Sequence, residues 1–167
     1  MKPKHYIFPL KKNLPQEMAG NKANSLLFLK RQKFRIPETY VVVTQAFDDY
    51  LENQTEALPK LSHEVNRLPG YCYMVRSSTN LEDSGDYSHA GQFQSLSGVR
   101  GTKELMAAIQ EVWQSASLQN DSEYRKRISH GKKPLKCAVI LQRMIQPTLA
   151  GVSFSNNPVT LENETII

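Results

Sequence analysis

Residues 71–79, Tyr71-Cys72-Tyr73-Met74-Val75-Arg76-Ser77-Ser78-Thr79, decide how the chain is read. The first five are aromatic, sulfur-bearing or β-branched and predict a strand over residues 71–75, entered from a Pro69-Gly70 turn. From Arg76 to Gln92 the sequence keeps neither a helical nor a strand period, and it carries Gly85 and Gly91. A structureless stretch of about 15 residues inside a compact domain points to function or disorder. A strand that delivers an arginine and two hydroxyls into such a loop offers a phosphate two things. Arg76 supplies a planar fork of donors, and Gly91 lets backbone N–H groups come close to an anion. The same stretch also allows Arg76 to pair with Glu82 or Asp83, and by itself it leaves the two open.

Working outward, residues 20–33 predict a helix with Ala23, Leu26, Leu27 and Leu29 on one face. Pro37 leads into a strand over 39–43, and Thr44 is placed as the N-cap of a helix over 45–53. Residues 55–68 predict a further helix. Beyond the loop come a strand over 93–99, a helix over 103–115 capped by Thr102, and a helix over 122–128. Leu105, Met106, Ile109, Val112 and Trp113 line one face of the first of these two helices. Residues 136–145 form an apolar strand, 151–155 a short one, and Thr165-Ile166-Ile167 read as part of another. The mixture predicts an α+β domain with a mixed, largely antiparallel sheet flanked by helices.

A chain of 167 residues, 40% hydrophobic, has room for one domain with a real core. No run of about 18 apolar residues is present, so no membrane-spanning helix is predicted. The first nine residues are basic without the apolar stretch of a secretory signal, which makes the cytoplasm the expected location. Cys72 and Cys137 form no CxxC motif and have no nearby histidine pair, and they read as two buried reduced thiols. The net charge of +5 is spread out, apart from Arg125-Lys126-Arg127 with Lys132-Lys133. Such a cluster can contact nucleic acid, but no aromatic residues interleave it, and a solvated helix end is the simpler reading.

Four further candidates carry chemistry. Lys22 stands at a helix start, where anions are favoured. The GxxxxGK[ST] phosphate loop is absent, and by position alone Lys22 reads as a surface lysine. Gln142 lies in an apolar strand, where its amide needs partners, either a ligand or neighbouring backbone. His89 beside Ser88 is not a nucleophile–base pair, because adjacent side chains diverge and no orienting acid is evident. Glu82, Asp83 and Asp86 suit Mg²⁺ held with phosphates, and suit loop solubility equally well.

Three segments in order carry a family resemblance. Gly20-Asn21-Lys22-Ala23-Asn24-Ser25-Leu26 is similar to a GGKxxSL pattern and leads into Ile36-Pro37-Glu38-Thr39-Tyr40-Val41-Val42-Val43-Thr44, similar to (V/I)P.GFVVT. Val75-Arg76-Ser77-Ser78-Thr79-Asn80-Leu81-Glu82-Asp83 and Ser88-His89-Ala90-Gly91-Gln92-Phe93-Gln94-Ser95 match VRSSATxED…SFAGQxxT without a gap. Val139-Ile140-Leu141-Gln142-Arg143-Met144-Ile145 followed by residues 150–160 looks like VQxMV…SGVxFTxxPxT. Together these resemble the N-terminal part of the ATP-binding domain of the phosphoenolpyruvate synthase and pyruvate phosphate dikinase family. Rifampin phosphotransferases share the pattern.

The resemblance implies an ATP-grasp-like fold, incomplete within residues 1–167, that binds ATP between two subdomains. It implies phosphate contacts from Lys22 and Arg76, a loop of Ser88, Ala90, Gly91, Gln92 and Ser95 folded over the phosphates, and Gln142 near the nucleotide. Mg²⁺ ligands, adenine-side residues and a phosphorylated histidine on a separate swivelling domain, of the same or a partner chain, belong in this family beyond the stretch matching Ile167. His89 replaces an aromatic of the family pattern, and Asn21 replaces its second glycine. The family reaction is phosphorylation of that histidine by ATP, then transfer to pyruvate. Two other readings stand beside this one: a stand-alone binding module without catalysis, and a nucleic-acid binder using residues 125–133.

Overall fold

The computed structural model describes residues 5–11, 14–80, 95–128, 135–153, 156 and 157, with the backbone alone over 118–128. Among the described residues five strands make one sheet: β1 (Ile7–Pro9), β2 (Thr39–Val42), β3 (Cys72–Thr79), β4 (Ser95–Arg100) and β5 (Cys137–Arg143). Their order across the sheet is β1-β2-β5-β3-β4, and each neighbouring pair is antiparallel. The α+β expectation is met, and among the described residues the sheet is wholly antiparallel.

β5 sits in the middle because Cys137-Ala138-Val139-Ile140-Leu141 is apolar on both faces, and all five residues are buried. Helices cover the two faces. On one side α2 (Thr44–Glu52), α3 (Gln54–Val65) and α4 (Gly101–Ile128) bury a core around Phe47, Tyr50, Leu61, Tyr73, Val75, Ile109 and Leu141. Trp113 anchors it, with the Tyr50 and Phe47 rings at 4.9 and 6.0 Å. On the other side α1 (Gly20–Arg31) lays Ala23 and Leu27 on Val41, Val43, Ala138 and Ile140.

Several local expectations are corrected. β3 does not stop at Val75: Arg76, Ser77, Ser78 and Thr79 continue the ladder against Ile140, Val139, Ala138 and Cys137. Pairing with the central strand satisfies the backbone groups that face it, and the last three side chains are buried. The helices expected over 103–115 and 122–128 are one helix, α4. The intervening Ala116-Ser117-Leu118-Gln119-Asn120-Asp121 holds turn-forming residues but no Gly or Pro to break it. Within it Ser117 turns its hydroxyl back to the Trp113 carbonyl at 2.8 Å.

Neither predicted threonine cap forms. Val43 precedes α2, while Thr44 donates to the Glu17 carbonyl. Thr102 donates to Asn66 Oδ1, and Glu104 instead accepts the Arg100 N–H at 3.0 Å. Residues 151–153 are not in a strand, and 154–155 and 158–167 lie outside the described residues. Neither thiol is in a disulfide, but Cys72 is only half-buried. They sit at opposite ends of β3, since Cys137 pairs with Thr79.

The edge strand β1 was not expected from the sequence. One side chain takes the N–H groups at its start: Glu64 of α3 accepts from Ile7 N (2.9 Å) and from Tyr6 N (2.9 and 3.0 Å) just before the strand. The Tyr6 hydroxyl donates to Asp49 Oδ2 at 2.7 Å, and Lys60 Nζ stands 3.6 Å from the centre of the Tyr6 ring. An edge whose donors are taken in this way, and which carries Pro9, is blunted against pairing with another chain. Glu64→Ala removes the acceptor of two edge N–H groups. It is expected to lower stability by about 1–3 kcal/mol in urea unfolding, whereas a loss under about 0.5 kcal/mol would show that water replaces the carboxylate.

Candidate functional site

Period two along β3 sorts its residues. Tyr73 and Val75 enter the core beneath α2, α3 and α4. Met74, Arg76 and Ser78 therefore point to the α1 face. Register adds their neighbours: Arg76 lies opposite Ile140 on β5 and Ser95 on β4, and Met74 lies opposite Gln142. Directly paired residues share a face, so Arg76, Ser95 and Gln142 stand on one surface. Gln142 is the diagonal neighbour of Arg76, roughly 7–8 Å away between backbones.

α1 closes one end of this surface. Its cap position is Ala19, which has no side chain able to cap. The missing acceptor comes from across the fold, where Ser78 Oγ accepts the Ala23 N–H at 3.0 Å. The helix can approach so closely because its first residue is Gly20. At φ +71° a side chain is strained, and a Cβ would overlap the Ser78 carbonyl. The N-terminal turn of α1, with half-buried Lys22, is thus docked one strand repeat from Arg76. Ser77 and Ser78, read as loop hydroxyls, are buried structural groups instead.

Arg76 is half-buried, and among the described residues it makes no ion pair with a carboxylate. Gln142 does find a protein partner, but a side chain rather than backbone: its Nε2 donates to Thr39 Oγ1 at 3.1 Å. Sequence reasoning missed Thr39 in this role; the only trace is a hydroxyl residue at the start of an otherwise apolar strand. Ser88, Ala90, Gly91 and Gln92, with His89, Glu82, Asp83 and Asp86, lie outside the described residues, as do residues 129–133 of the basic cluster.

The surface gathers donors: a guanidinium, an ammonium-bearing helix start and a hydroxyl at Ser95. That set suits an oligophosphate. It does not suit a divalent cation, which wants carboxylates. Among the described residues no group of three or more His, Cys, Asp or Glu could hold a metal.

A separate cavity of about 580 Å³ lies at the opposite end of β3, between Glu38, Tyr71, Cys72, Arg100, Arg143 and Met144. There Glu38 accepts from the hydroxyls of Tyr40 (2.6 Å) and Tyr71 (3.0 Å), which hold its carboxyl below the usual carboxylate range. Arg143 stacks over the Tyr71 ring at 4.5 Å. None of the expected phosphate-contacting residues lines this cavity.

A family model described as "Pyruvate phosphate dikinase, AMP/ATP-binding domain" matches residues 55–167, more than half of the chain. The chain belongs to this family. This pyruvate phosphate dikinase-type nucleotide-binding domain is 25% identical, over 90% of its length, to an uncharacterized phosphotransferase (YvkC) of Bacillus subtilis. It is 33% identical to a rifampicin phosphotransferase of a Streptomyces species and 31% to a phosphoenolpyruvate synthase of Aeropyrum pernix, over 56% of the chain in each case. The match covers 21% of the first relative and 11% of each of the other two. Among the described residues no helix is long and apolar enough to cross a membrane.

Because Gly20 sets the distance between α1 and β3, Gly20→Ala is expected to cost at least about 2 kcal/mol in chemical denaturation. A variant as stable as the parent would mean that α1 docks without this contact.

Proposed function

We propose that residues 1–167 form the N-terminal part of an ATP-grasp-like domain and hold the phosphates of ATP on the surface shared by Arg76, Ser95 and the start of α1, with Gln142 near the nucleotide. One observation carries the reading: the β3–β5 and β3–β4 registers bring Arg76 beside Ser95 and Gln142 on the face where the helix start docks. Lys22 and Arg76 would neutralise phosphate charge. Ser88, Ala90, Gly91 and Gln92, together with Ser95, would supply the loop that folds over the phosphates.

Phosphoryl transfer is mostly positioning and charge neutralisation, and these donors suit both tasks. The step they would serve is phosphorylation of a histidine on a separate swivelling domain, in the same or a partner chain. Mg²⁺ accompanies ATP in such chemistry, and its ligands are expected outside the described residues. The relatives named for rifampicin and for phosphoenolpyruvate differ in acceptor, which supports placing acceptor choice outside the matched segment. A cytoplasmic setting, where ATP is abundant, fits the same reading.

The test is thermal unfolding with and without millimolar Mg-ATP, on the parent chain and on Arg76→Ala and Lys22→Ala. Ligand at about 100 times its dissociation constant raises stability by roughly 2.7 kcal/mol. Arg76→Ala is expected to lose more of that gain than Lys22→Ala, because a bidentate clamp forfeits two charge-assisted bonds. An undiminished shift in Arg76→Ala would remove the residue from the site.

A further inference from the structure

The amide of Gln142 is not free to turn. Thr39 is buried, and its hydroxyl donates to the Pro37 carbonyl at 2.7 Å. A threonine hydroxyl has one proton, and that bond uses it. Toward Gln142 the same oxygen can only accept, so the atom 3.1 Å away is the amide nitrogen. The relay Gln142 Nε2–H to Thr39 Oγ1–H to Pro37 O thus selects one of the two amide orientations. It leaves Gln142 Oε1 as an acceptor with no hydrogen bond among the described residues.

The site's geometry says what this acceptor would meet. Ser78, Arg76 and Gln142 lie in sequence along one face, with the docked start of α1 at the Ser78 end and Gln142 at the far end. A nucleotide whose phosphates sit at Arg76 and the helix start extends its nucleoside toward Gln142. Phosphates have no proton to give a carbonyl oxygen at neutral pH, whereas a ribose hydroxyl or an exocyclic amino group does.

We propose that Thr39 is a positioning residue. It locks the Gln142 amide so that Oε1 accepts a hydrogen bond from a donor on the nucleoside end of the bound nucleotide. The proposal rests on the nucleotide reading above and adds to it a residue that makes the site distinguish a nucleotide from bare oligophosphate.

Calorimetric titration of the chain, and of Thr39→Val and Thr39→Ser, with ATP, 2′-deoxy-ATP, GTP and inorganic triphosphate tests it, with apo melting temperatures recorded alongside. Thr39→Val is nearly isosteric but lacks the hydroxyl. It is expected to weaken ATP about three- to tenfold, the worth of one net hydrogen bond, and to leave triphosphate within twofold. Thr39→Ser is expected to restore ATP affinity, which a merely structural role for the side chain would not require.

The ratios identify the donor. Loss of discrimination against 2′-deoxy-ATP assigns it to the ribose, and loss of discrimination against GTP, which carries a carbonyl where adenine has its amino group, assigns it to the base. Equal weakening of ATP and triphosphate, or no weakening of either, overturns the positioning role and leaves the nucleotide reading standing. A parent chain that binds neither ATP nor triphosphate overturns both.

Discussion

Seven consecutive pairs between β3 and β5, from Tyr73 with Arg143 to Thr79 with Cys137, hold the rest of the molecule in place. β5 contributes to both cores: Val139 and Leu141 belong to the core beneath α2, α3 and α4, and Ala138 and Ile140 to that beneath α1. A shift of one residue in this register would exchange the two sets and put Arg76 into an apolar core. The polar run from Arg76 to Thr79 is therefore tolerated inside the sheet only because its partners fix which side chain faces which layer. Fold and site rest on the same ladder.

The sequence conveyed the strands and helices whose pattern is internal to them. The apolar run at 137–141, the β-branched run at 39–43 and the amphipathic helices needed no distant information. What it withheld depends on partners far away along the chain. β1 is three residues long and gains its outer acceptor from Glu64, 57 residues beyond Ile7. The polar end of β3 has the composition of a loop and becomes strand because β5 pairs with it and α1 covers it. The join in α4 holds Ser, Asn and Asp residues, which weaken a helix but do not stop it when one face is packed.

The same division runs through the candidate site. Arg76, Lys22 and Gln142 stand out in the sequence by type and position. That Arg76 and Gln142 are diagonal neighbours follows only from the register, and the Thr39–Gln142 bond joins residues 103 apart. Ser78 changes role altogether: in the sequence it reads as a hydroxyl delivered into a loop, whereas in the fold its hydroxyl completes the start of α1. A group that reads as chemistry in one dimension serves in three to hold the chemistry's neighbour.

That substitution has a physical logic. A helix start favours an anion only while some of its N–H groups remain available and its position is fixed. A side-chain cap at Ala19 would sit at the mouth of the turn, in the way of a ligand. Capping from Ser78 instead reaches the turn from the sheet beneath, binds a single N–H, that of Ala23, and ties the helix start to the strand carrying Arg76. Gly20 makes the arrangement possible by taking a left-handed backbone and leaving no atom between helix and strand. Helix start and arginine are then fixed to each other through β3 itself, so a polyphosphate bound between them would meet cationic groups already in place. Such preorganisation is what electrostatic catalysis of phosphoryl transfer requires, since groups that need not reorganise lose none of their interaction energy in doing so.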